Sequence, residues 1–220
     1  MERIPEPELM GDFEQAKAYA EADFSEPHQA FIDCFQHSFT GYKPTRVLDL
    51  GCGPADITQR FASAFPDCRI VGIDGSKAML EFGNQAIAQS GLQGRVRLIE
   101  ARLPGAALPD GNFDTIISNS LLHHLAQPAA LWDTVKSSGS SGAVVCVMDL
   151  MRPASAAIVD ALVERYAGGE PAILQRDFRH SLMAAYLPQE VRVQLRCAGL
   201  DCLRVEVVSD RHLLVAGRLA

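Results

Sequence analysis

The sequence predicts an open α/β fold built on a seven-stranded, mostly parallel sheet. Three observations carry that expectation. Strand-like and helix-like stretches alternate from residue 46 onward. A glycine turn, VLDLGCGPADIT (47–58), joins the first strand to the first helix of the series. The chain closes on two apolar stretches, 203–208 and 212–217, separated by little more than Ser209-Asp210. Strands separated by helices pair in parallel through right-handed crossovers, whereas a short turn can only join antiparallel neighbours.

Each element has its own signal. RVLDL (46–50) reads as a strand, and in 54–65 Ile57, Phe61 and Phe65 recur at helical spacing until Pro66 stops the run. RIVGID (69–74) is the second strand. Ser76 is placed to cap a helix that carries Met79, Phe82 and Ala86 on one face and ends at Gly91. RVRLIE (95–100) and FDTIIS (113–118) follow, with a loop between them. GAVVCVMDL (142–150) is the most apolar run and reads as a central strand buried on both faces. SSGSSG (137–142) before it reads as a turn. Residues 153–186 are helical with a break at Gly168-Gly169-Glu170-Pro171, and another helix runs from Pro188 to Gly199. Residues 1–44 look helical and amphipathic, with Phe31, Phe35 and Phe39 at i, i+4 and i+8. The expected organisation is one domain: a helical lid (1–44), a cofactor-binding core (45–150), a substrate cap (151–186) and a closing helix and hairpin (187–220).

Bulk properties narrow the function. A hydrophobic content of 48% and a charged content of 21% are those of an ordinary globular chain. The formal net charge of -7 argues against nucleic acid as a partner, where a basic surface supplies much of the affinity. No apolar run reaches the ~18–20 residues that span a bilayer, and the acidic, proline-bearing start is unlike a signal peptide. The six cysteines form no C-x-x-C pair and lie largely in apolar runs, so reduced thiols in a cytoplasmic protein are expected. A monomer or homodimer is expected.

Ligands of open α/β sheets bind at the carboxyl ends of the strands, where strand order reverses, so the glycine turn is the default site. A dinucleotide fingerprint would have a third glycine where Asp56 stands, and a carboxylate in the first turn of a helix opposes pyrophosphate. Asp49 adds a second negative charge before the first glycine. Asp74, at the end of the second strand and roughly 20 residues on, is placed to accept hydrogen bonds from ribose hydroxyls. A ligand with a ribose, no phosphate and a positive charge satisfies the pattern.

VLDLGCGPADIT, VGIDGSKAML and FDTIISNSLLHHL, in this order, resemble the successive motifs of class I S-adenosylmethionine-dependent methyltransferases. The resemblance covers about 45–150 and implies a Rossmann-like sheet, S-adenosyl-L-methionine as cofactor and S-adenosyl-L-homocysteine as product. It implies that Asp49, Gly51, Cys52 and Gly53 line the methionine moiety, that Asp74, Gly75 and Ser76 hold the ribose side, and that Met79 packs on the adenine. Asn119 and Ser120 would bound the methionine end. The family often has Asp-Ala after the third strand; Glu100-Ala101 stands here, and Glu100 and Ala101 are assigned that place.

Methyl transfer to a small-molecule acceptor is the leading expectation. The motif after the fourth strand is Ser118-Asn119-Ser120-Leu121, unlike the Asn-Pro-Pro-Tyr of enzymes that methylate DNA bases. Of the adjacent His123 and His124, about 100° apart on a helix, His124 is the expected base. Its setting resembles that of phosphoethanolamine methyltransferases, where a histidine pairs with a tyrosine from the N-terminal helix, here Tyr19. The competing reading is a histidine that merely packs near the site. Phe24, His28, Arg152, Arg179, His180 and Tyr186 are the candidate substrate contacts. No metal is expected, since Asp149 has no adjacent second carboxylate. The alternatives are carboxy-S-adenosylmethionine synthesis or aminopropyl transfer on the same fold, a nicotinamide-dependent oxidoreductase, and a non-catalytic cofactor-binding partner.

Overall fold

The computed structural model describes residues 1–6, 13–104 and 112–220. The first strand, β1 (Arg46–Leu50), starts where the Asp114 carboxylate accepts the backbone amides of Thr45 and Arg46 at 3.0 and 3.1 Å. It is preceded by α1 (Phe13–Glu21) and α2 (Ser25–Ser38) and followed by α3 (Asp56–Ala64), β2 (Arg69–Asp74), α4 (Lys77–Gln89), β3 (Val96–Glu100) and β4 (Phe113–Asn119). Then come α5 (Ala129–Ser138), β5 (Gly139–Leu150), α6 (Ala156–Ala167), α7 (Ala172–Ala184), α8 (Pro188–Ala198), β6 (Leu203–Val207) and β7 (His212–Arg218).

The sheet order is β3-β2-β1-β4-β5-β7-β6, with β7 antiparallel to both β5 and β6 and the other pairs parallel. Strand order reverses between β1 and β4, which opens a crevice at their carboxyl ends. Alternation along each strand divides the core between the two faces. Leu48, Leu50, Val145 and Val147 pack with Trp132, Val135 and Leu195 of α5 and α8. Val47, Cys146 and Met148 pack with Phe31, Phe35 and Phe61 of α2 and α3. Phe35 meets Phe61 edge-on at 4.8 Å, which fastens α2 to α3. Burying such a ring contributes about 1.5–3 kcal/mol relative to leaving it in water.

Three local expectations change. Residues 137–142 are not one turn: α5 continues through Ser138 and β5 begins at Gly139. The Ser/Gly composition instead marks an irregular edge, where the register jumps from Phe113↔Gly139 to Thr115↔Val144 and Gly142 takes φ 75°. The histidine pair lies on a single 3₁₀ turn, Leu122–His124, rather than a helix, because the Asp149 carboxylate captures the Leu122 amide at 2.7 Å. The loop expected between β3 and β4 falls largely on 105–111, outside the described residues.

The lid's first residues are not helical. Met1–Glu6 run as an extended strap under the cap. Ile4 N donates to Met183 O at 3.1 Å, the Arg3 guanidinium donates to Ala184 O and His123 O at 2.5 and 2.9 Å, and it lies 4.1 Å above the Tyr186 ring.

Candidate active site

The turn after β1 is built around one carboxylate. Gly53 N donates to Asp74 Oδ2 at 2.9 Å and Ser76 N to Asp74 Oδ1 at 2.7 Å, so each oxygen of this crevice-lining carboxylate is fixed by a backbone amide. Burial raises the Asp74 pKa, and these amides partly offset the rise. Gly51 sits at φ 72°, and a Cβ there would meet Leu121 Cδ1 at 2.9 Å. Both its backbone and its surroundings therefore require glycine. Ser76 caps α4, its hydroxyl accepting Met79 N at 3.3 Å. Asp49 is buried beneath the turn. Desolvation pushes its carboxyl up to about 7, opposed by the Thr58 hydroxyl that donates to it at 2.5 Å.

Asp56 does not stand as a bare charge. His28 Nδ1 lies 2.6 Å and Arg60 Nε 2.7 Å from its Oδ2, and although burial raises its pKa, these two partners hold it below the usual range. The Asp56 charge thus ties α2 to α3, and Asp49 and Asp74 are the other two carboxylates that line the cleft at this turn.

A cleft of about 600 Å³ opens from this turn toward α1, α2 and the cap. On its far wall His123 is buried and its Nδ1 lies 2.6 Å from Asp149 Oδ1. Burial opposes charge on this ring, but Asp149 and Glu6 outweigh it and the His123 pKa is raised. Glu6, from the strap, reaches to 3.4 Å of His123 Nε2 and 3.2 Å of His124 Nδ1.

A family model described as "Methyltransferase domain" matches residues 47–139. The chain is 38% identical over 80 residues to a malonyl-acyl-carrier-protein O-methyltransferase of Legionella pneumophila, which covers 36% of this chain and 27% of that protein. It is 26% identical over 153 residues to an uncharacterized methyltransferase of Mycobacterium tuberculosis, covering 68% of this chain and 73% of the other. A solved S-adenosylmethionine-dependent methyltransferase from Aquifex aeolicus superimposes with a TM-score of 0.70 at 18% identity, over 95% of this chain and 99% of that one. The chain is thus similar to S-adenosylmethionine-dependent methyltransferases, in sequence over its methyltransferase-domain segment and in fold over nearly its whole length. The chain spans about a quarter of the length of the first of these curated relatives.

Most residues assigned to the cofactor from the methyltransferase motifs meet at the cleft. Asp49, Gly51, Cys52 and Gly53 line it from β1, Asp74, Gly75, Ser76 and Met79 from β2 and α4, and Ala101, Asn119 and Ser120 from the next two strand ends. Glu100 is exposed and off the cleft; Ala101, Arg102 and Leu103 take that wall, because Ala101 N bonds Asp74 O at 2.9 Å and turns the chain inward. Tyr19, Phe24, His28 and His124 also line the cleft. The Tyr19 ring lies against Phe24 at 4.7 Å, and burial, with the Asp56 and Asp74 carboxylates near it, pushes its hydroxyl up to about 12.

The cap candidates fare differently. Arg152 is buried and donates to Ala185 O at 3.0 Å and to Glu190 at 2.7 Å, tying β5 to α8. Arg179 pairs with Asp160 between α6 and α7, His180 is exposed, and Tyr186 donates to Leu125 O at 2.9 Å. None of these four lines the cleft; the cap presents Leu174, Asp177, Phe178 and Ser181 instead. Helical spacing carried the signal: Leu174, Phe178 and Ser181 share one face at i, i+4 and i+7. His212 and Arg211, from the hairpin, also line the cleft, and no local pattern in the sequence marks them.

Proposed function

We propose that the chain transfers a methyl group from S-adenosylmethionine to a small-molecule acceptor held under the α7 cap. The Asp74 carboxylate carries this reading: fixed by two amides on the cleft wall, it retains accepting capacity for a ribose diol. Asp49 fits the positive charge of the methionine end, since a buried acid with a pKa of about 7 gains from a neighbouring cation. When bound, the cofactor supplies an electrophilic methyl carbon on a sulfonium. The acceptor's lone pair forms the new bond to that carbon while the S–C bond breaks in line with it.

The residues of the chain align and dry the reaction. Met79 and Leu103 flank the adenine side, and Ser120, held at φ 57° by its amide bond to Met148 O at 3.0 Å, fixes the methionine end. Alignment of this kind supplies ~7–11 kcal/mol in favourable cases. His124 faces the acceptor side and would take its proton if the nucleophile is a hydroxyl. Tyr19 lies on the cofactor side, beside Asp56 and Asp74, and there closes the cleft rather than completing a dyad. Lid 1–44, core 45–150 and cap 151–186 divide the labour. The six free thiols support a reducing, cytoplasmic setting.

Calorimetry tests the site. Asp74→Ala and Asp49→Ala are each expected to weaken donor binding more than tenfold, and unchanged affinity in both would refute the assignment. Incubation with labelled donor and a fractionated extract then identifies the acceptor. Mass spectrometry of ligand released from the purified protein separates methyl transfer from carboxylated or decarboxylated cofactor chemistry.

A further inference from the structure

Glu6, His123 and His124 bring three donor atoms within 4.8 Å of one another, from two segments more than a hundred residues apart. Two ligands each about 2.1 Å from a tetrahedral ion stand about 3.4 Å apart, against about 3.0 Å at an octahedral right angle. Of the two Glu6 edges, 3.4 Å matches the tetrahedral value and 3.2 Å lies between the two.

His123 also has the support a metal-bound imidazole carries. Its far nitrogen, Nδ1, faces the Asp149 carboxylate at 2.6 Å, and that carboxylate is itself held by the Leu122 amide at 2.7 Å. A carboxylate behind the ring places the proton on Nδ1 and aims the Nε2 lone pair forward, here at Glu6. The Glu6 side chain is 9% exposed and steadied by the Ser181 hydroxyl at 3.1 Å. Two imidazoles and a carboxylate are a donor set of catalytic zinc, shared with non-haem iron(II).

We propose that Glu6, His123 and His124 form a zinc site on the wall of the cleft, with Asp149 orienting His123 from behind. No metal is expected from the sequence, because Asp149 has no adjacent second carboxylate and the cysteines lack zinc-finger spacing; the strap brings Glu6 to the histidines from more than a hundred residues away. The proposal does not rest on methyl transfer, but it excludes the base role of His124, because an imidazole bound to the ion through Nδ1 carries its proton on Nε2. Both histidines line the cleft, so an ion there has access to whatever the cleft holds.

The full chain, stripped with EDTA and dialysed, is titrated with zinc chloride in a calorimeter, and the retained ion is counted by elemental mass spectrometry. One zinc per chain is expected. Glu6→Gln and His124→Gln are each expected to weaken binding by ~100-fold or more. A Cys197→Ser/Cys202→Ser double variant, which removes the two exposed thiols, is expected to bind as the wild type does. Cobalt(II) in place of zinc gives the visible bands of a four-coordinate site free of sulfur. Failure of the wild type to retain zinc, or undiminished binding in Glu6→Gln, overturns the proposal and leaves an ion pair of Glu6 with the two rings. Glu6→Gln keeps the side chain's shape on a peripheral strap, and circular dichroism verifies that the variant is folded.

Discussion

Asp49 is 1% exposed, and its carboxyl titrates near 7 instead of near 4. The sign of its effect follows from the direction of that shift. Between pH about 4 and about 7 the folded state keeps a proton that the unfolded chain releases, so this residue's contribution to stability falls as pH rises through the window. A cation beside it reverses the trend, because binding then draws the pKa down and expels the proton. Affinity for S-adenosylmethionine should therefore increase from pH about 6 to about 8, with proton release near pH 7. Asp49→Asn, which can still accept the Thr58 hydroxyl, should flatten the rise and abolish the release. Calorimetry in two buffers of different ionisation enthalpy measures both. The ligand's own amine titrates alike with either protein, so the difference between them isolates Asp49. A Gly51→Ala substitution makes a second test at this scale. It adds a Cβ in the left-handed region 2.9 Å from Leu121, and should cost about 1–3 kcal/mol in chemical denaturation.

Among the elements, the joint between α2 and α3 depends on one carboxylate. Asp56 sits in the first turn of α3 and binds both His28 of α2 and its own Arg60. Asp56→Ala leaves the His28 ring, 7% exposed, without that acceptor, and should cost about 1–2 kcal/mol, reduced by the solvent that already reaches Asp56. Hydrogen exchange should quicken along α1 and α2 while β1, β4 and β5 stay protected. Unchanged exchange in α2 would mean that Phe31 and Phe35 alone hold the lid. The elements also mark how far the sequence can be read. β1, α3, β2 and α4 were legible because periodicity and caps are local signals: Phe61 at helical spacing, Ser76 before Lys77, glycines at the turn. The 3₁₀ turn at Leu122–His124 was not, since its cause is a carboxylate 27 residues later in the chain. The start of β5 at Gly139 was hidden for a similar reason, because the Ser/Gly run acquires strand geometry only by pairing with Phe113.

Across the whole molecule, the cleft joins distant parts of the chain, and legibility declines with the distance between them. The wall that carries the methyltransferase motifs lies within residues 49–120, where the motifs stand close to one another. The opposite wall draws on α1, α2, the cap and the hairpin, and there Arg152 and Tyr186 proved to be ties between elements while Asp177, Ser181 and His212 took the wall. His212 illustrates what assembly does to a side chain. Desolvation comes first in depressing its pKa to about 4; Arg211 and His28 add to the effect, and Asp149 and Asp210 oppose it. The Ser209 hydroxyl at 3.0 Å from Nδ1 suits a neutral ring. A histidine depressed in this way contributes stability that is complete above pH about 6.5 and lost as pH falls toward about 4, because only the unfolded chain takes up the proton there. The loss amounts to no more than about 3 kcal/mol. Asp49 acts in the opposite sense over much of the same window, so the wild-type stability profile should be flatter on the acid side than either residue alone would make it. Denaturation midpoints at pH about 4.5 and about 7 separate the two. His212→Gln should lose less stability on acidification than the wild type, and Asp49→Asn should lose more. Parallel profiles for all three proteins would show that neither group titrates where its burial places it.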